Sequence, residues 1–147
     1  MTEVLKCIEM NVYIGYKYRN FKDKARLKEV LIKVSESLTS LGHKTFILGR
    51  DEFRWEHHAP TTRSLTPIIK NLRKNGSLLA IIECENKSNG LLFECIFAKL
   101  LRKKIVLAVK EGVSPKPFNK FTKKIMRFDD HKDLIKKIQN DFDKFLL

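Results

Sequence analysis

No apolar run in this sequence approaches the roughly 20 residues that a membrane-spanning helix needs, although 43% of its 147 residues are hydrophobic. The segment from Met1 to Met10 also lacks the basic start and apolar stretch of a secretory signal peptide. We therefore expect a cytoplasmic protein. A chain of this length is typical of one domain, and we expect a single domain over residues 1–147.

Cysteine is scarce, and its spacing is not that of a metal site. Cys7, Cys84 and Cys95 form no CxxC pair and share no ligand spacing with a histidine. His57 and His58 are adjacent, so on a helix they would point in different directions. The odd number and the apolar neighbours of the cysteines predict buried free thiols in a reducing compartment. We expect no metal site.

The sequence also lacks the glycine-rich loops that hold phosphate groups in many nucleotide-binding proteins. The first predicted strand is followed by Gly15-Tyr16-Lys17-Tyr18-Arg19, which matches neither GxGxxG nor GxxxxGKS/T. This difference argues against a dinucleotide oxidoreductase and against a P-loop NTPase. The absence of GxSxG argues against an α/β-hydrolase. We expect no cofactor.

Positive charge is in excess, with 30 Lys and Arg against 17 Asp and Glu, for a formal net charge of +13. Such a charge can attract nucleic acid, nucleotides or an anionic membrane. It can also be a solvated lysine-rich surface, because the basic residues are spread along the chain. Nucleic-acid readers usually interleave arginine and aromatic residues in one segment. The pattern favours the solvated surface.

The apolar pattern alternates between strand and helix spacing. Strands are predicted at 11–15, 45–48, 78–82, 103–109 and 125–128, and helices at 20–41, 64–74, 89–102 and 131–147. This order predicts an α/β fold in which right-handed crossovers join parallel strands. We expect a doubly wound sheet of about five strands, with a ligand crevice at the carboxyl ends of the first and third strands.

The segment Ser88-Asn89-Gly90-Leu91-Leu92-Phe93-Glu94-Cys95 places one carboxylate in an apolar helical run, just after a strand and a polar turn. Burying an unpaired carboxylate is costly, so Glu94 needs a role. It either complements the helix dipole near the N-terminus or acts in catalysis. A carboxylate beside phosphate-type donors suits cleavage of a glycosidic bond in a nucleotide.

Other polar groups converge on the same crevice. Ser88 and the backbone amides near Gly90 can hold an anion at the helix start. Lys17 and Arg19 follow the first strand and either contact a ligand or belong to a solvated loop. Tyr13 either presents a phenol to the crevice or packs in the core.

These segments resemble the nucleoside 2-deoxyribosyltransferase family, and within it the branch of deoxynucleoside 5′-monophosphate N-glycosidases. The matching segments are Val12-Tyr13-Ile14-Gly15, Ser88-x-Gly90-x-x-x-Glu94-x-x-x-Ala98 and Lys104-Ile105-Val106-Leu107. The resemblance covers about residues 10–146 and leaves residues 1–9 as an additional N-terminal segment. It implies a Rossmann-like fold, usually in a homodimer whose active sites borrow residues from the neighbouring subunit.

The resemblance also implies roles for single residues. Glu94 corresponds to the family nucleophile, which forms a glycosyl-enzyme intermediate. Ser88 corresponds to a phosphate-binding serine, where the nucleoside transferases carry an aspartate for the 5′-hydroxyl group. Together with Lys17 and Arg19, this serine favours a nucleoside 5′-monophosphate as substrate. Arg50 is placed to reach a base or a phosphate.

The expected substrate site also includes Tyr13, Gly15 and Gly90. Two further features bear on this site. The irregular segment 49–62 holds Phe53, Trp55 and His57, which either cap the base or form a surface flap. The family usually has an aspartate at the start of the third strand, where this chain has Gly76-Ser77-Leu78. Either Asp51 or Glu52 is a candidate to replace that acid.

Three hypotheses follow from these observations. The first is an N-glycosidase or glycosyltransferase of nucleoside monophosphates with Glu94 as nucleophile. The second is a nucleotide-binding protein without catalysis, suggested by the missing aspartate. The third is a nucleic-acid-binding protein, suggested by the net charge of +13.

Overall fold

Five parallel strands form one sheet in the order β2-β1-β3-β4-β5. The computed structural model describes residues 10–16, 24–52, 54–55, 65–84 and 89–146. The strands are β1 (Asn11–Tyr16), β2 (Lys44–Ile47), β3 (Ser77–Ile82), β4 (Lys104–Lys110) and β5 (Ile125–Phe128). The helices are α1 (Lys24–Ser40), α2 (Leu48–Asp51), α3 (Leu65–Lys74), α4 (Asn89–Leu100) and α5 (His131–Leu146), with a 3-10 turn at Phe118–Lys120. The predicted α/β fold is confirmed.

The sheet is buried on both faces, as its near-continuous apolar strands require. All six residues of β3 are buried. One core cluster packs α1 and α5 against one face and includes Val12, Ile14, Val34, Leu79 and Phe142. The other packs α3 and α4 against the opposite face and includes Tyr13, Leu72, Leu78, Ala80 and Cys95. Successive residues of one strand therefore serve different layers.

The crevice expected in such a sheet lies where β1 pairs with both β2 and β3. The chain leaves β1 for β2 on one side and later returns to β3 on the other, so the connections diverge at the carboxyl end of β1. Gly15 pairs with Ala80 near this edge. The helix that carries Glu94, α4, follows β3 and packs on the α3 side of the sheet.

Two sequence-based expectations need correction. Residues 48–51, predicted as a strand end and irregular chain, form the short helix α2. The Asp51 carboxylate reaches back to accept a hydrogen bond from the Ile47 amide at 2.8 Å, which favours this turn. Cys84 is exposed, although a buried thiol was predicted, because it lies beyond the last buried residue of β3. Cys95 is buried as predicted, and Cys7 lies outside the described residues.

Within the described ranges, no helix is long and apolar enough to cross a membrane.

Candidate active site

Glu94 lies on the inward face of α4. The buried residues of this helix recur at helical spacing, and they are Leu91, Glu94, Cys95 and Ala98. Glu94 is only 5% exposed, and the first turn of α4 contains no acidic residue. A side chain that complements a helix dipole is expected in the first turn. The position of Glu94 therefore favours a role inside the crevice.

The hydroxyl group of Tyr13 donates a short hydrogen bond to Oε2 of Glu94. Tyr13 is fully buried on β1, and its ring lies 4.9 Å from the ring of Phe46, measured between centroids. The phenol is thus both part of the core and a partner of the carboxyl group. Packing fixes the ring, and the fixed ring in turn positions one oxygen of Glu94.

Gly15 lies where side chains of α4 approach β1 closely. A Cβ atom at this position would lie 2.9 Å from Cδ1 of Leu91 and 3.1 Å from Oε1 of Glu94. Even a methyl group here would displace the ends of the Leu91 and Glu94 side chains, so glycine leaves room for both. Gly15 was predicted as a substrate-binding residue, and in the structure it makes room for the carboxyl group.

Burial determines the proton state of this pair. Removal from water raises the pKa of Glu94 to about 8, and the hydrogen bond from Tyr13 opposes that rise. Burial, followed by the charge of Glu94, raises the pKa of Tyr13 well above its ordinary value. At neutral pH the carboxyl group of the free protein is therefore mostly protonated. Burial also raises the pKa of Cys95, so this thiol is a poor nucleophile.

A second carboxylate lies on the same side of the sheet. Glu52 follows α2, and its Oε1 accepts a hydrogen bond from Nδ2 of Asn71 at 3.0 Å. Asn71 is buried on α3, one of the two helices that cover the Tyr13 face. The charge of Glu52 also contributes, after burial, Glu94 and Tyr16, to the raised pKa of Tyr13. Asn71 was missed in the sequence, although an Asn between Ile68 and Leu72 on an apolar helix face is an available signal.

Arg50 is not brought together with Glu94. Its guanidinium donates to Oγ of Ser35 at 2.9 Å, to the Thr45 carbonyl at 3.1 Å and to Asp51 at 2.9 Å. Ser35 belongs to α1, which covers the opposite face of the sheet. Asp51 is occupied by this ion pair and by the Ile47 amide. Arg50 and Asp51 thus stabilise the connection after β2.

Several other predicted residues lie away from Glu94 or outside the described ranges. Trp55 packs against the core on the α1 side, with Nζ of Lys28 5.4 Å from its ring centroid. Gly90 is the second residue of α4, at the helix start as expected. Five of the predicted residues lie outside the described ranges, and they are Lys17, Arg19, Phe53, His57 and Ser88.

Ser77 occupies a different part of the molecule from Glu94. It is the first residue of β3, so it lies at the amino end of the strand, whereas the crevice is at the carboxyl end. Alternation along β3 places Ser77 on the side of Leu79, facing α1 and α5. Its buried hydroxyl has no hydrogen-bond partner among the described residues. An acid at position 77 would therefore not reach the carboxyl group of Glu94.

No group of three or more His, Cys, Asp or Glu side chains in the described part of the chain could hold a metal ion. Glu83, which directly follows β3, forms another carboxylate pair. Its Oε1 shares a hydrogen bond with Nε2 of His131 at the start of α5. Hydrophobic periodicity carries no signal for this pair, because 47 residues of intervening chain separate its members.

Solved structures of similar fold include enzymes that act on nucleosides or nucleotides. The CMP N-glycosidase of Clostridium botulinum is 13% identical, with a TM-score of 0.62 over 87% of this chain and 97% of that one. The 2-deoxyribosyltransferase of Bacillus psychrosaccharolyticus is 21% identical, with a TM-score of 0.58 over 93% of this chain and 96% of that one.

The same fold also occurs in a protein of another chemical class. A Klebsiella pneumoniae protein provisionally assigned as a quinone reductase is 9% identical, with a TM-score of 0.58 over 92% of this chain and 84% of that one. No protein-family model and no curated protein sequence matches the chain. These similarities show a Rossmann-like α/β fold, and function must be argued from the site.

Replacing Glu94 with Gln should change how stability depends on pH. The raised pKa means that folded Glu94 keeps its proton between pH 4.5, where the unfolded carboxyl group releases it, and about pH 8. The free energy of unfolding should therefore fall as pH rises through this range, by at most about 1.4 kcal/mol per pH unit. Urea unfolding of both proteins at several pH values isolates this contribution, because all other groups are common to both.

The Glu94→Gln variant should gain stability relative to the parent as pH rises to about 8, and the difference should then level off. A stability difference that stays constant over the whole range would contradict the buried, protonated carboxyl group.

Proposed function

We propose that this protein cleaves the N-glycosidic bond of a nucleoside 5′-monophosphate, with Glu94 as the nucleophile, as a member of the nucleoside 2-deoxyribosyltransferase family. The observation that carries the proposal is the Tyr13–Glu94 pair, buried beside Gly15 next to the carboxyl end of β1. Two proteins with the same fold, an N-glycosidase and a 2-deoxyribosyltransferase, support the general class of glycosyl cleavage or transfer.

The two oxygens of Glu94 have different surroundings. Oε2 accepts the hydrogen bond from Tyr13, and Oε1 lies over Gly15. In the proposed reaction Oε1 attacks C1′ of the sugar, and the bond between C1′ and the base nitrogen breaks. The bonding electron pair leaves with the base, and a glycosyl-enzyme intermediate forms. Water or a second base then takes the sugar from Glu94.

The attack requires the ionised carboxylate, whereas burial favours the neutral acid. The hydrogen bond from Tyr13 favours the ionised form, and so does the positive charge that develops on the sugar. Substrate therefore promotes loss of the proton that the free site holds. The activity of the free enzyme, measured as kcat/KM, should rise with pH toward about 8.

The phosphate group of the substrate is proposed to lie at the start of α4. This helix begins at Asn89, and the positive end of its dipole favours a bound anion there. Ser88, Lys17 and Arg19 are proposed to complete the phosphate site. The net charge of +13 also favours an anionic substrate over a neutral nucleoside.

A nucleotide-binding protein without catalysis is the second candidate. The burial of Glu94, which is 5% exposed, favours it, because burial raises the pKa of the carboxyl group and a neutral acid is not a nucleophile. In this case nucleotides would bind in the crevice without releasing base.

We also propose a homodimer, with the outer face of α4 as its interface. Phe93 is 42% exposed and Leu100 is 71% exposed, and the ring of Phe97 stacks on Phe93 with centroids 6.3 Å apart. These residues form an apolar stripe at helical spacing, roughly a quarter of a turn around α4 from Glu94. A second copy of the chain has the same stripe and can cover it. This dimer would hold α4, and with it Glu94, against the sheet.

Free-base release is the direct test of the proposed activity. A panel of ribo- and deoxyribonucleoside monophosphates is incubated with the protein, and released base is measured by chromatography. We expect release from at least one of them, and a loss of at least about 10³-fold in Glu94→Ala, which lacks the nucleophile. Binding measured by calorimetry without release would favour the second candidate. Release that persists in Glu94→Ala would exclude Glu94 as the nucleophile.

Restoring an acid at position 77 should not increase activity. Ser77 is at the amino end of β3 and on the opposite face from Glu94. Per molecule of folded protein, as measured by circular dichroism, we expect base release by Ser77→Asp to stay within about threefold of Ser77→Ala, the matched control, because neither side chain reaches the crevice. The buried charge of the aspartate lowers stability instead. A gain of about tenfold or more in Ser77→Asp alone would show that this position serves the reaction.

The dimer predicts a difference between two neighbouring substitutions on α4. Leu100→Glu places a charge in the apolar stripe, whereas Lys99→Glu changes an exposed residue at its edge. Sedimentation velocity should show a dimer for the parent and for Lys99→Glu, and a monomer for Leu100→Glu. A parent protein that sediments as a monomer at about 100 μM would contradict the interface.

A further inference from the structure

Glu52 is a carboxylate with one oxygen anchored and one oxygen open. Its Oε1 accepts from Nδ2 of Asn71 at 3.0 Å. The same nitrogen donates to the Pro67 carbonyl at 2.7 Å, so both amide protons of the buried Asn71 are in use. Oε2 of Glu52 makes no hydrogen bond to any described residue. The amide fixes the position of Glu52 and leaves this second oxygen available to solvent.

Glu52 and Glu94 approach Tyr13 from different elements. Ile68 and Leu72 flank Asn71 on α3 and pack in the same core cluster as Tyr13. Burial and the Glu94 carboxyl group dominate the raised pKa of Tyr13, and the charge of Glu52 adds to it. The interaction between charges weakens with distance, so this contribution places Glu52 within Coulombic range of the phenol. Tyr13 therefore has one carboxyl group from α4 and a second from the end of α2.

The proposed reaction needs a base once Glu94 is bonded to the sugar. Tyr13 cannot serve, because its raised pKa keeps the proton on the phenol. Asp51 is occupied by Arg50 and the Ile47 amide. Glu52 is thus the described acid beside Tyr13 that is open to solvent and not consumed in the first step.

Building on the proposed glycosidase function, we propose that Glu52 is the general base that activates the acceptor in the second half of the reaction. In the first half the base leaves with the electron pair of the broken bond and takes a proton from solvent. In the second half the Glu52 carboxylate removes a proton from water, and the water oxygen bonds to C1′. The bond between C1′ and Glu94 breaks, its electron pair returns to Glu94, and Glu52 passes its proton to solvent.

The Glu52→Gln variant separates the two halves of the reaction. Glutamine keeps the size of the side chain and an oxygen that can accept from Asn71, but it cannot remove a proton. With the nucleoside monophosphate from the panel that releases most base, the variant should release about one equivalent of base per site in a fast burst. Steady turnover should then be about 10²-fold slower than in the parent, and mass spectrometry should detect the sugar on Glu94.

Azide provides a second readout that a purely structural effect would not change. It attacks C1′ without losing a proton, so it should restore turnover in Glu52→Gln and yield a glycosyl azide. It should not restore Glu94→Ala, which forms no intermediate. Glu111→Gln, which changes an exposed acid after β4 at the same edge of the sheet, is the matched control and should behave as the parent.

Three outcomes would overturn the role of Glu52, and each differs from failure of the glycosidase itself. Unchanged steady turnover in Glu52→Gln would show that it is not the base. Loss of the burst would show that Glu52 acts before the glycosyl-enzyme intermediate forms. Absence of azide rescue would show that Glu52 does not act by activating the acceptor. If the parent releases no base from any nucleotide in the panel, the proposed function fails, and the role of Glu52 fails with it.

Discussion

The hydrogen bond from Tyr13 to Glu94 is the interaction on which the rest of the site depends. Burial of a carboxyl group in an apolar layer disfavours its charge, and a single phenol donor opposes that effect. The balance leaves a group that is neutral in the free protein and that ionises when positive charge develops nearby. A sugar carbon in an oxocarbenium-like transition state supplies such a charge. The buried pair is therefore suited to a nucleophile that becomes active on meeting its substrate.

The sheet separates the polar groups of the site from those that serve structure. Tyr13, Glu94 and the Glu52–Asn71 pair are associated with the face covered by α3 and α4. Arg50 and Ser77 belong to the opposite face. Arg50 contacts Ser35 of α1, and the buried hydroxyl of Ser77 has no hydrogen-bond partner among the described residues. Gly15 permits this arrangement, because a side chain there would displace the carboxyl group of Glu94 and the end of Leu91. The absence of an acid at the start of β3 thus leaves the surroundings of Glu94 unchanged.

Apart from the short helix α2, element order and the position of Glu94 were readable from the sequence, because both depend on local periodicity. A lone acid in the apolar run after β3 had to face the core at helical spacing. The surroundings of Arg50, Asp51 and Glu52 were not readable, since the direction of each side chain depends on the turn of α2, which the pattern did not reveal. Partners distant in sequence, such as Asn71 for Glu52, depend on how α3 packs on the sheet. Periodicity carries no information about such pairs.

The most direct test of the buried pair is a titration of the glutamate side-chain carboxyl carbons by NMR, with ¹³C-labelled protein. We expect one resonance that titrates at about pH 8, that is missing in Glu94→Gln, and that shifts to still higher pH in Tyr13→Phe. The upward shift in Tyr13→Phe follows because the lost hydrogen bond favoured the ionised form. A Glu94 resonance that titrates near 4.5, the ordinary value, would contradict the account.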